Sequence, residues 1–110
     1  MENNIKFSTI KKNSEISTIL QTGCSLSNDC YIIKYVKTKD AYQFAIATSK
    51  KIFRTAVQRN KIKRQIRTFV QKIVKNKPVK FLIIVRKPYL KNTYIENNLL
   101  LQDLINKIKE

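Results

Sequence analysis

The chain has 110 residues, 43% of them hydrophobic, and carries 23 Lys and Arg against 7 Asp and Glu, a net charge of +16. That length fits one domain spanning residues 1–110 with a core of its own, and the composition excludes a disordered tail, which holds too little apolar surface to fold. Charge this one-sided repels itself unless a polyanion offsets it, so nucleic acid is the expected partner and an anionic membrane surface the next.

The longest apolar run, Phe81 to Val85, is the size of a strand and far short of the roughly 20 residues that span a bilayer. Met1, Glu2, Asn3 and Asn4 lack the basic and then apolar pattern of a signal peptide, so the protein is expected to be cytoplasmic. A single Gly and two Pro leave no low-complexity linker, and no internal repeat is visible. Cys24 and Cys30 could form a metal or redox pair. With no His and no further Cys to complete a site, two free thiols in a reducing compartment are expected instead.

In chain order, Ser14 to Thr22 predicts a short helix with Ile16, Ile19 and Leu20 on one face, Asn13 or Ser14 as cap and Gly23 at the C′ position. Tyr31 to Lys37 alternates Tyr31, Ile33 and Tyr35 on one side with Ile32, Lys34 and Val36 on the other, which predicts a strand. Thr38, Lys39 and Asp40 form a polar turn, and Tyr42 to Thr48 predicts a second strand with Phe44 and Ile46 on one face. Thr55 to Lys75 is the longest helical signal: Ile62, Ile66, Phe69, Val70 and Ile73 make a narrow apolar stripe, and Asn76, Lys77 and Pro78 end it. Val79 to Arg86 reads as a central strand covered on both faces and stopped by Pro88. Tyr94 to Lys109 predicts a last helix with Leu101, Leu104, Ile105 and Ile108 on one side. The order α, β, β, α, β, α, with a further short strand possible in the loops, indicates a small α+β sandwich.

The long helix carries the chemistry. Eight of the 18 residues from Lys50 to Arg67 are Lys or Arg, and no acid lies between Ala41 and Ile95. At about 100° per residue, Asn60, Arg64 and Arg67 lie nearly opposite the apolar stripe, with Lys63 on the flank. Arg59 falls closer to the apolar side, where a long side chain in the first turns can still reach solvent. Guanidinium forks bind two phosphate oxygens at once, and an Asn can read a base edge or a 2′-hydroxyl. An ordinary solvated helix face mixes charge signs, and this one does not. Ser49, Lys50 and Lys51 precede the helix, and exposed amides beside two lysines would make a phosphate perch.

The run Ser49-Lys50-Lys51-Ile52, followed by Ala56-Val57-Gln58-Arg59-Asn60-Lys61-Ile62-Lys63-Arg64-Gln65-Ile66-Arg67, resembles the protein component of bacterial ribonuclease P, whose pattern is close to S-K-K-x-x-x-x-A-V-x-R-N-x-x-K-R-x-x-R. Ile83-Ile84-Val85-Arg86-Lys87-Pro88 resembles that family's next strand, and Ile10-Lys11-Lys12-Asn13, with Gly23 ten residues on, its first helix. The resemblance implies a two-layer α-β-β-β-α-β-α sandwich whose mixed sheet has a left-handed crossover (ribosomal protein S5 domain 2-like). It implies a subunit that assists a catalytic RNA in removing the 5′ leader of precursor tRNA, with Mg²⁺ held mainly by the RNA and no catalytic residue or metal ligand on the protein. RNA contacts are then expected at Lys50, Lys51, Arg54, Arg59, Asn60, Lys63, Arg64 and Arg67, and a leader cleft at Ile16, Leu20, Ile32, Lys34 and Arg86. The implied partners are the catalytic RNA and precursor tRNA, with neither a membrane nor a small-molecule substrate.

The cleft departs from the family pattern. Ile16 and Leu20 stand where Phe is usual, Lys34 where Tyr is common, and Phe53 replaces a common Gly. Tyr31 and Tyr35 are sent to the opposite face by strand parity and are expected in the core. Two other readings compete. A protein nuclease lacks His for general acid–base chemistry, and its acids are scattered over the two ends. A ribosomal or general structural RNA-binding protein would share the composition but not the ordered motif.

Overall fold

The computed structural model describes residues 7–9, 19–21, 23–37, 42–72 and 79–108. Five strands form one mixed sheet: β1 (Phe7–Thr9), β2 (Cys24–Ser27), β3 (Tyr31–Lys37), β4 (Tyr42–Ala47) and β5 (Val79–Val85), in the spatial order β1-β4-β5-β3-β2. β5 is central, antiparallel to β3 and parallel to β4. The helix α1 (Ala56–Gln71) supplies the crossover between the parallel pair β4 and β5, and α2 (Tyr94–Asn106) follows β5 through a 3₁₀ turn at Lys87–Leu90. The expected helix at Ser14–Thr22 lies largely outside the described residues; residues 19–21 are helical, and the Gly23 amide donates to the Ile19 carbonyl at 2.9 Å.

The core forms where the apolar faces meet. Tyr31, Ile33 and Tyr35 of β3 and Phe81, Ile83 and Val85 of β5 face Ile62, Ile66, Phe69 and Val70 of α1 and Leu101, Leu104 and Ile105 of α2, all buried. Strand parity thus puts both tyrosines in the core, as expected. The opposite sheet face is thinner: Ile19 packs on Ala45 and Leu82, with Val36, Ala47 and Ile84 only partly buried. β5 is therefore buried along its core face and at Leu82 on the other, where Lys80 and Ile84 are half-buried and Ile84 lines a shallow groove.

Element ends follow their caps. The Thr55 hydroxyl accepts the Gln58 amide and starts α1, which closes on Lys72; residues 73–78, including Ile73 and Pro78, lie outside the described residues. Thr93 and Glu96 form a reciprocal capping box at the start of α2. That helix stops at Asn106 rather than Lys109, because Lys107 and Ile108 donate to carbonyls only three residues back, tightening the last turn. β5 ends one residue earlier than expected, at Val85, although the Arg86 amide still bonds the Cys30 carbonyl at 2.8 Å. β4 likewise stops at Ala47.

Two short strands needed no apolar alternation to form. β2 pairs with β3 because Asn28 shapes the turn between them: its Oδ1 accepts the amides of Cys30 and Tyr31, each at 2.9 Å. β1 adds in parallel to the edge of β4. Gly23, expected at the C′ position, has no positive φ. Its need is spatial: an added Cβ would sit 2.5 Å from the Ile19 carbonyl oxygen and 2.6 Å from that of Tyr35.

A buried polar cluster ties the β2–β3 turn to α2. Asn97, 2% exposed, accepts from the Cys30 thiol at 3.3 Å and donates to the Tyr89 carbonyl at 3.1 Å, while its own carbonyl accepts the Tyr31 hydroxyl at 2.9 Å. The Tyr89 hydroxyl donates to Gln65 of α1 at 2.7 Å. Cys24 and Cys30 are both free thiols, exposed and buried respectively. Desolvation pushes the Cys30 thiol and the Tyr31 and Tyr89 phenols up from their ordinary values. The folded state keeps these protons where the unfolded chain gives them up, so it binds more protons and stability falls as pH rises. Urea midpoints are therefore expected to be flat from pH 7 to 8 and to drop once pH passes the ordinary thiol value of 9.0 toward the phenol value of 10.0. A midpoint unchanged between pH 8 and 10 would contradict this. No helix among the described residues is long and apolar enough to cross a membrane.

Candidate nucleic-acid interface

α1 divides cleanly into a buried stripe and a charged outer face. Ile62, Ile66, Phe69 and Val70 are buried, whereas Asn60, Arg64 and Arg67 are exposed and Lys63 is half-buried on the flank. The first turn holds no acid, and among the described residues no carboxylate pairs with any of these groups. The face is held still from behind, because Gln65 bonds Tyr89 and the Phe69 ring meets Tyr94 edge-on at 5.0 Å. Five N–H donors per Arg, fixed on a rigid helix, suit a polyphosphate backbone.

Arg59 differs from the expectation. Its Nη1 donates to the carbonyls of Phe53 and Arg54 at 2.8 and 3.2 Å, so the side chain folds back to brace the loop before α1 instead of extending to solvent. The loop has its own logic. Phe53 is fully buried in the core and pins the segment, which leaves Lys50, Lys51 and Arg54 exposed around it. Phe53 thus acts as a core plug in a stretch otherwise rich in cations. The amides expected to form a phosphate perch are partly consumed: Lys51 donates to the Ser49 hydroxyl, and Ile52 and Phe53 to the Ser49 carbonyl. The perch keeps its lysines and loses those three donors.

The cleft residues lie on the opposite sheet face. Ile32 pairs across β5 with Ile84 and across β2 with Ser27, while Lys34 pairs with Leu82 and Ser25. Both are half-buried, and Leu20 is 47% exposed beside them in sequence to the anchoring Ile19. Ile16 lies outside the described residues. The exposed Arg86 is tethered at the end of β5, its Nη1 donating to the Asn28 carbonyl at 3.0 Å. Beside it a hollow of about 450 Å³ opens at the C-terminal ends of the parallel strands β4 and β5, between Ala47, Ser49 and Ile52 on one side and Ile84, Arg86 and Lys87 on the other. Ends of parallel strands are where open sheets commonly bind ligands. Through this hollow the groove, Arg86 and the loop bearing Lys50 and Lys51 become neighbours. Sequence reasoning named Ser49 only with the lysine perch and missed Lys87 as a lining residue, although it stands in a quoted motif. The basic face of α1 is not brought into the groove; it belongs to the other layer.

The chain is similar to known proteins along nearly its whole length. The family model described as Ribonuclease P matches residues 5–109. The ribonuclease P protein component of Mycoplasma genitalium is 33% identical over 107 residues, covering 96% of this chain and 84% of that protein. That of Mycoplasma mycoides is 38% identical, covering 91% and 94%. The Staphylococcus aureus RNase P protein structure superposes with a TM-score of 0.79 at 29% identity, covering 89% of this chain and 92% of that one. The Thermotoga maritima protein gives a TM-score of 0.83 at 23% identity, covering 93% and 98%, a likeness of fold. With a match along nearly the whole chain and relatives above 30% identity, this chain belongs to the ribonuclease P protein family.

Proposed function

We propose that this chain holds a catalytic RNA on the outer face of α1 and the single-stranded 5′ leader of precursor tRNA along the groove on the opposite sheet face. Membership of the family makes it the protein component of an RNase P holoenzyme that acts in tRNA processing. The observation that carries the two-sided reading is the division of cationic surface. Asn60, Lys63, Arg64 and Arg67 lie on one layer, and Lys34 and Arg86 border a groove in the other. Two distinct RNA strands can then be held at once. Ser49 and Ile52 line the hollow between them, and the exposed Lys50 and Lys51 stand between these two in sequence.

In this reading the bond is cut by the RNA. The chain contains no His, and its seven acids leave the stretch from Ala41 to Ile95 empty, which supports placing general acid–base and metal chemistry elsewhere. In this reading Mg²⁺ is held mainly by the RNA, where it would supply the metal chemistry of hydrolysis. What the protein supplies is positioning and neutralisation of backbone charge. In the groove, Leu20, Ile32, Ile84 and Lys34 offer apolar and cationic contact with no ring for bases to stack on, so leader binding leans on charge. A cytoplasmic location goes with this task. A general structural RNA-binding role is not favoured, given the family match over residues 5–109.

Reconstitution tests the reading. Added to bacterial ribonuclease P RNA and precursor tRNA at low Mg²⁺, the protein is expected to stimulate leader removal, and to cleave nothing alone. Absence of stimulation would refute it, as would cleavage by pure protein that a point substitution abolishes.

A further inference from the structure

We propose that a second hollow, between α1 and the 3₁₀ turn leading to α2, receives one unpaired base of the catalytic RNA, turned out of its stack onto Tyr94. The inference rests on the reading that this RNA lies on the outer face of α1. The hollow measures about 330 Å³ and is lined by Gln58, Lys61, Gln65, Leu90, Asn92 and Tyr94, over a floor that includes Ile62 and Asn97. That volume is at the lower end of small-ligand sites, about 300–1,000 Å³, which suits a single nucleotide unit and excludes a helical segment.

Its chemistry is that of a base pocket. The Tyr89 hydroxyl occupies Gln65 Oε1, which leaves the Nε2 donor, and Asn92 Nδ2 is spent on the Cys30 sulfur, which leaves the Oδ1 acceptor. The Gln58 side chain has no partner among the described residues, so both its amide groups are open. Donors and acceptors of neutral amides match the edge of a base, which carries both, better than they match a phosphate or a carboxylate. Tyr94 is 45% exposed and held edge-on by Phe69, so a ring is presented without freedom to collapse. Leu90, likewise 45% exposed, adds an apolar wall.

The occupant follows from continuity. Lys61 stands at the lip, three residues before Arg64, and residues so spaced are surface neighbours on a helix. A strand lying on Asn60, Arg64 and Arg67 therefore passes the mouth of the hollow. No acid lines it, and a chain of net charge +16 draws polyanions rather than acidic-poor apolar partners. Loop or bulge bases cost least to turn outward, since they are already unpaired.

Tyr94→Trp provides the test, because the chain has no Trp and the new indole reports on this site alone. Titrated with bacterial ribonuclease P RNA, without precursor tRNA, its fluorescence is expected to be quenched in step with RNA retention on filters. Retention without quenching would overturn the proposal, as would quenching by precursor tRNA alone. If the wild-type chain does not retain the RNA at all, the functional reading falls rather than this one. Tyr94→Leu, which keeps the contact with Phe69 apolar, is expected to weaken RNA binding about tenfold with an unchanged salt dependence, since a lost stack releases no counterion. Tyr94→Phe should bind as wild type. Equal affinity for Tyr94→Leu would also overturn the proposal.

Discussion

Replacing both Arg64 and Arg67 with alanine is expected to weaken binding to bacterial ribonuclease P RNA by about 30–60-fold at 0.1 M salt. Each phosphate neutralised releases about 0.7–0.9 of a counterion, so at 0.1 M salt each lost cation lowers affinity about 5–8-fold. The same arithmetic predicts that the slope of log affinity against log salt becomes shallower by about 1.4–1.8, and that the deficit shrinks to about threefold at 0.5 M. A deficit independent of salt would mean that these residues do not meet phosphates. The fold should not suffer. Both side chains are exposed, neither joins the core, and removing two charges from a chain of +16 relieves repulsion.

Neighbouring substitutions separate charge from geometry. Asn60→Ala removes no charge, so affinity should fall while the salt slope stays. Arg59→Ala should do something else again. It removes the braces on the Phe53 and Arg54 carbonyls, so the loop bearing Lys50 and Lys51 loosens along with any direct contact that is lost. A melting temperature lowered in Arg59→Ala but not in the Arg64 and Arg67 variants would mark that division.

The contrast between Arg59 and Arg64 shows what periodicity reveals and what it does not. Where one face of an element is buried, the sequence repeats with the element's period, so the α1 stripe, the parity of Tyr31 and Tyr35, and the central position of β5 were all legible. Arg59 was placed correctly on the helix, but its hydrogen-bond partners come from a loop whose path depends on Phe53 entering the core, and helical phase carries no trace of that. The Ser49 turn used up loop amides for the same reason. β1 and β2 are three and four residues long, at the sheet edges, and Cys24-Ser25-Leu26-Ser27 buries too little to show alternation. The cluster joining Asn28, Cys30, Tyr31 and Asn97 spans more than sixty residues of sequence, and no local rule reaches so far. The leader cleft was an expectation of the resemblance alone. Ile32 and Lys34 are half-buried, and nothing in either alone distinguishes a binding face from an ordinary solvated one.

Gly23→Ala is expected to lower the melting temperature by about 10–15 °C, from a destabilisation of about 2–3 kcal/mol typical of forcing atoms into filled space. The added Cβ would stand 2.5 Å from the Ile19 carbonyl oxygen and 2.6 Å from the Tyr35 carbonyl oxygen, both backbone atoms that no rotamer change can move aside. Either the Gly23 amide gives up its bond to Ile19 or β3 shifts at Tyr35, whose side chain is part of the core. The first route costs less, and it has a functional consequence. Ile19 is the side chain that seats this segment on Ala45 and Leu82, and Leu20 follows it at the edge of the groove. Lifting Ile19 would widen the groove without touching α1, which packs on the other face. Leader-dependent affinity for precursor tRNA should therefore fall while affinity for the catalytic RNA and its salt slope hold. Equal losses on both would mean that the whole sheet had moved, and a normal melting temperature would show that the two carbonyls can part after all.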